Sequence, residues 1–168
     1  MLMLPGTPFV YYGEEIGMTG AKPDETIRTP MQWTSAPNGG FTTGPPWEPL
    51  QPDWRTNNAA VQDPNRLALL NHYRTLIHLR NTNAALNVGS LSVIPADDTT
   101  GTIAVWLRTD GDTSFLIVVN FGRYHDYLYL PRLPLKNIDG NYFGVAASSY
   151  MDPPHACASV FIATNHEA

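Results

Sequence analysis

The strongest periodicity in the chain lies between residues 63 and 83. Leu69, Leu70, Tyr73, Leu76, Ile77 and Arg80 recur at three- to four-residue spacing, and Leu67 and Leu79 widen the stripe. Asn71, Arg74, Thr75 and His78 fall largely elsewhere, so the pattern predicts a helix with one buried face. Asp63-Pro64 reads as its start, with Asp at the N-cap and Pro at the first helical position; Asn81-Thr82-Asn83 reads as its end. After Asn87-Val88-Gly89 the period changes to two. Strands are expected over residues 90–94, 102–109, 113–120, 126–130 and 158–163, with Asp110-Gly111 as a hairpin signal between the second and third. Asp97-Asp98 reads as a solvated turn. Short strands at this spacing predict a small antiparallel sandwich or barrel.

Upstream of the helix the patterns are weaker. Phe9-Val10-Tyr11-Tyr12, between Pro8 and Gly13, reads as a short strand without polar alternation, of the kind covered on both faces. Such a strand needs neighbours, and none is evident nearby. From Gly17 to Gln62 no period persists; prolines and glycines recur, and Trp33, Trp47 and Trp54 fall inside the stretch. Loops this long are uncommon in compact domains and are usually functional or disordered. The tryptophans argue against disorder, so a long ordered loop laid over a site is expected.

Composition narrows the function classes. The chain has 168 residues, enough for one ordinary domain or two small ones. Ten Lys+Arg against fifteen Asp+Glu give a net charge of −5, with no basic cluster to meet nucleic acid or an anionic membrane. Apolar runs such as residues 115–119 are too short to cross a bilayer. Cys157 is the single cysteine, which excludes an internal disulfide, and His72 and His78 are six apart on the predicted helix, so they do not share a ligand. Neither a metal site nor a cofactor is expected. Met1-Leu2-Met3-Leu4 lacks the charged start and the length of a signal peptide, and reads instead as the end of a segment whose beginning lies upstream.

Candidate chemistry is sparse. Glu14 and Glu15 are adjacent at the end of the first predicted strand, where consecutive side chains face opposite ways. A carboxylate pair that cleaves a glycosidic bond must face each other about 5–5.5 Å apart for retention, or roughly 6.5–9.5 Å for inversion. An adjacent pair does not supply that, and at most one of the two faces any given pocket. The sequence contains no Gly-x-Ser-x-Gly motif and no Gly-rich phosphate loop. The long loop is more informative. Trp33, Phe41, Trp47 and Trp54 alternate with Arg28, Gln32, Asn38 and Glu48. Aromatic faces with amide and guanidinium donors suit a sugar; the same tryptophans would equally suit a satellite core that pins the loop.

Three motifs carry a family resemblance. Gly6-Thr7-Pro8-Phe9-Val10-Tyr11-Tyr12-Gly13-Glu14-Glu15-Ile16-Gly17-Met18 closely resembles the segment spanning the eighth barrel strand in the α-amylase superfamily, glycoside hydrolase family thirteen. Arg28-Thr29-Pro30-Met31-Gln32-Trp33 resembles the stretch that follows in its oligo-1,6-glucosidase, α-glucosidase and trehalose synthase branch, and residues 69–80 resemble that branch's last barrel helix. The likeness is good over about residues 1–120.

The resemblance implies an α+β chain: residues 1–87 as the last β/α unit of a (β/α)₈ barrel, and residues 88–168 as a terminal β-sandwich domain. It implies a retaining mechanism on α-linked gluco-oligosaccharides, run by an Asp nucleophile, a Glu acid/base and a second Asp. All three come from segments earlier in the family's barrel, so no catalytic residue is expected in this chain and the missing barrel portion becomes its implied partner. Arg28, Gln32, Trp33, Tyr12 and Glu14 are carried over as candidate substrate-binding residues, and Arg28 leads them. A cytoplasmic location follows from the branch's use of intracellular oligosaccharides. The chain alone is expected to be inactive, with residues 1–20 poorly anchored because the strand lacks partners. A stand-alone carbohydrate-binding module and a remnant without ligand are the alternatives.

Overall fold

The computed structural model describes residues 1–95, 97–98, 101–122, 128–129, 144–145 and 160–164. The elements in chain order are α1 (Asp24–Ile27), α2 (Ala59–Gln62), α3 (Leu69–Thr82), α4 (Ala84–Asn87), β1 (Ser90–Ile94), β2 (Asp97–Asp98), β3 (Ile103–Asp110), β4 (Thr113–Asn120), β5 (Leu128–Tyr129), β6 (Gly144–Val145) and β7 (Val160–Thr164). Two single 3₁₀ turns, Glu14–Ile16 and Pro37–Gly40, lie in the irregular part. Two compact units result: residues 1–8 with 76–168, and residues 9–75.

The first unit is built on an antiparallel sheet in the order β1-β3-β4-β7-β6, with β2 and β5 forming a separate ladder. The expected hairpin is its centre. Register runs from Ile103↔Asn120 to Asp110↔Thr113, leaving Gly111 and Asp112 as the turn, and Gly111 takes the positive φ of 56° that its place in the turn demands. Leu107 and Arg108 are both buried, as are Phe115, Leu116 and Ile117. Successive strand residues face opposite sides, so the middle of this sheet is covered on both faces. Helix α4 packs against β3 and β4 with Ala85 and Leu86 buried. The strand expected at 158–163 stands at Val160–Thr164. Of 126–130 only Leu128–Tyr129 is among the described residues, and it pairs with Asp97–Asp98, which is therefore a ladder and not a free turn.

Residues 1–6 are anchored, contrary to expectation. Leu2 and Met3 are buried. The Arg80 guanidinium, itself buried, donates to the carbonyls of Leu2 (2.7 Å), Leu4 (2.8 Å) and Gly6 (2.6 Å). Trp106 Nε1 donates to Met3 O at 3.1 Å, and the fully buried Arg108 donates to Gly89 O at 2.9 Å. Burial, and secondarily the charge of Arg80, push the Arg108 pKa down. A guanidinium has five donors in a fixed fork, which is why arginine can enter a buried face when several carbonyls converge on it.

In the second unit the elements are short. Residues 9–11 carry no regular structure, Tyr12 enters a turn, and none of them joins a ladder among the described residues; Phe9 is 82% exposed. Helix α3 starts at Leu69, not at Asp63. Asp63 instead closes α2, its N–H reaching Ala59 O at 2.9 Å, and its carboxylate pairs with Arg74 at 2.7 Å. Pro64, with no N–H to donate, cannot continue that helix. Leu67 is consequently outside α3 and 94% exposed.

Candidate functional site

Residues 17–62 form the ordered loop expected of them, and side-chain bonds to backbone hold it in place of a ladder. Asn58, fully buried, caps α2 by accepting from Val61 N (2.9 Å) and donates to Trp54 O (2.9 Å) and Ser35 Oγ (3.1 Å). Gln51 Nε2 donates to Thr26 O at 3.0 Å. Asn38 Nδ2 donates to Gly44 O at 2.8 Å, tying down the segment that carries Phe41. Gly39 O accepts from Trp33 N (2.9 Å) and Thr34 N (2.8 Å). Gly39 holds a φ of +66°, which favours glycine, and a Cβ there would push Leu50 Cδ2 aside from 2.3 Å.

This scaffold surrounds a cavity of about 320 Å³. Trp33, Phe41, Trp47 and Tyr12 line it with aromatic residues, Thr29, Pro30 and Met31 of the Arg-Thr-Pro-Met-Gln-Trp motif join them, and Arg28 and Glu15 are its charged residues. Trp33, Phe41 and Trp47 are 50%, 49% and 59% exposed, far more than tryptophans of a satellite core would be. Trp54 is elsewhere, stacked under the Arg55 guanidinium at 4.2 Å.

Among the five candidate residues, the cavity brings together Tyr12, Arg28 and Trp33. The Tyr12 hydroxyl donates to Thr29 O at 3.0 Å, and burial, then Tyr11, raises its pKa. Arg28 Nη2 meets Asp24 Oδ2 at 3.2 Å in an exposed pair that leaves other N–H groups to donate. Gln32 and Glu14 lie outside the lining. Gln32 is fully buried, with Nε2 donating to Asn57 O and its backbone O accepting from Ala59 N at 3.0 Å. Glu14 Oε1 accepts from the Tyr73 hydroxyl at 3.2 Å; burial and then the Glu14 charge push the tyrosine up to about 12. The two glutamates sit on a 3₁₀ turn, not a strand, and it is Glu15 that faces the cavity. Gly13 and Gly17 at either end of that turn were the available signal. Among the described residues no group of three His, Cys, Asp or Glu side chains is placed to hold a metal ion, and no helix is long and apolar enough to cross a membrane.

Residues 1–89 match the family model of the α-amylase catalytic domain, and the chain belongs to the α-amylase family of glycoside hydrolases. It is similar to an oligo-1,6-glucosidase of Halalkalibacterium halodurans, with 34% identity over 91% of this chain and 35% of that protein. Its fold is similar to that of the trehalulose synthase of Pseudomonas mesoacidophila (TM-score 0.74, 26% identity, 97% of this chain and 36% of that one). It is also similar to that of the trehalose-6-phosphate hydrolase of Bacillus licheniformis (TM-score 0.77, 24% identity, 98% and 37%). The chain thus spans about a third of the length of the relatives it matches.

Proposed function

We propose that this chain contributes a substrate-facing wall to an enzyme that hydrolyses or transfers α-linked glucosyl units of oligosaccharides, and that it does not cleave them by itself. The observation that carries the reading is the cavity: three open aromatic rings beside Arg28, all held by the loop that contains the family's Arg-Thr-Pro-Met-Gln-Trp motif. Aromatic faces take the C–H surface of a pyranose, and the guanidinium donates to its oxygens. Tyr12, Arg28 and Trp33 are the contacting residues in this proposal; Gln32 and Glu14 brace the wall from outside the lining. The relatives' names, an oligo-1,6-glucosidase among them, point to α-glucosides.

In the same reading residues 1–87 are the last unit of a barrel and residues 88–168 a β-sandwich domain. Residues 9–12, which join no ladder among the described residues, would then pair with strands of the family's earlier barrel. Covalent and proton-transfer work needs carboxylates placed by that portion. A stand-alone sugar-binding module remains a second reading, because every residue lining the cavity belongs to the compact unit 9–75.

Calorimetric titration of the chain with maltose and isomaltose, with glucose release assayed in parallel, tests both. Binding without glucose is the expected result, and addition of a polypeptide carrying the family's earlier barrel strands should restore release. Binding that is unchanged by such a polypeptide, with no release, would favour the module. Turnover by the chain alone would contradict the proposal.

A further inference from the structure

The cavity's carboxylate belongs to a residue to which the family resemblance assigns no role. Glu14, Glu15 and Ile16 make one 3₁₀ turn, closed by Gly13 at φ 89° and Gly17 at φ 73°. Backbone bonds fix it: Ile16 N to Gly13 O at 3.2 Å, Gly17 N to Glu14 O at 3.1 Å, and Met18 N to Gly13 O at 2.9 Å. With about three residues per turn, consecutive side chains leave such a helix roughly 120° apart. Ile16 takes the core direction and is fully buried. Glu14 takes the direction of α3, where the Tyr73 hydroxyl bonds it at 3.2 Å. Gln62 Nε2 donates to Ile16 O at 2.8 Å. The third direction, toward the cavity, is left for Glu15.

Glu15 also has acceptor capacity to spare, since its Oε2 is buried with no hydrogen-bond partner among the described residues. An ionised carboxylate only accepts, so a ligand must bring the donor. An ammonium group would serve, but Arg28 lines the same cavity and opposes a cation. A neutral hydroxyl is compatible with both charges.

We propose that Glu15 accepts a hydrogen bond from a hydroxyl of the glucosyl unit seated on the aromatic walls, and that Tyr73, through Glu14, is the positioning residue that keeps Glu15 turned toward it. This rests on the sugar-binding reading above. The test uses the full 168-residue chain, titrated with isomaltose, with the side-chain carboxyl carbon of Glu15 followed by NMR. Glu15→Gln, which keeps the shape and removes the charge, is expected to weaken binding at least about tenfold, as loss of a charged hydrogen bond does. Tyr73→Phe is expected to weaken it a few-fold and to reduce the isomaltose-induced shift of the Glu15 carboxyl. The double variant should bind no more weakly than Glu15→Gln alone, because Tyr73 acts through Glu15. If the wild-type chain binds and Glu15→Gln binds equally well, the role of Glu15 is refuted and the sugar site stands. Additive losses in the double variant would refute the relay through Tyr73. If the wild-type chain binds no isomaltose, the sugar-binding reading falls and takes this inference with it.

Discussion

Tyr73 shows how a single hydroxyl ties helix periodicity to the site. Its place in the apolar stripe of α3 is legible from spacing, but its bond to Glu14, 59 positions away, is not. Burial and the neighbouring carboxylate raise its pKa from 10.0 to about 12. The folded state therefore holds this proton more tightly than the unfolded chain. The stability it contributes is complete below pH 10 and is lost as pH climbs from there toward 12. Urea midpoints measured between roughly pH 9 and 11 should fall more steeply for the wild type than for Tyr73→Phe; parallel lines would mean that the bond contributes nothing. At the same scale, Arg28 and Trp33 stand out because their residue types suit a sugar, and Tyr12 stands out only through the family resemblance. Glu15 could not be separated from Glu14, because the choice depends on a 3₁₀ turn where a strand was expected. Gln32 illustrates the opposite limit: its motif placed it near the site, yet a buried amide is most useful holding Asn57 and the loop behind the cavity.

Elements with strong local signals were legible, and those that depend on distant partners were not. Alternation and Asp110-Gly111 were enough for β1, β3 and β4, because a hairpin is formed by neighbours in sequence. The start of α3 lies five residues later than the sequence predicts, since an Asp-Pro pair that can open one helix can equally close another. Residues 9–12 have strand composition without a strand, because pairing is a property of two segments. Residues 1–6 went the other way, anchored by Arg80, Trp106 and Arg108 from elements more than 70 residues distant in sequence. The hairpin is the element on which its unit's core depends. Ile117 is fully buried opposite Trp106, and Ile117→Ala should cost about 2–5 kcal/mol of unfolding free energy. A urea-measured loss below about 1 kcal/mol would show that the centre of the sheet is less tightly packed than its burial implies.

For the whole molecule, the family was legible from three ordered motifs, and the match over residues 1–89 agrees with them. The division of labour is the less obvious part. A barrel enzyme draws its catalytic groups from the ends of several strands; this chain spans about a third of its relatives, and the proposal above assigns it a binding wall without a reaction centre. Most of the cavity's lining comes from the loop held by Asn58, Gln51, Asn38 and the Gly39 turn, and Tyr12 and Glu15 complete it. Sugar binding should therefore survive where turnover does not. The most direct test is an NMR titration of the tryptophan indole N–H signals with isomaltose, glucose being followed in the same tube. The predicted result is that Trp33 and Trp47 shift, that Trp106, bonded to Met3 O in the β-rich unit, does not, and that no glucose forms. Static Trp33 and Trp47 signals, or glucose released by the chain alone, would contradict the account.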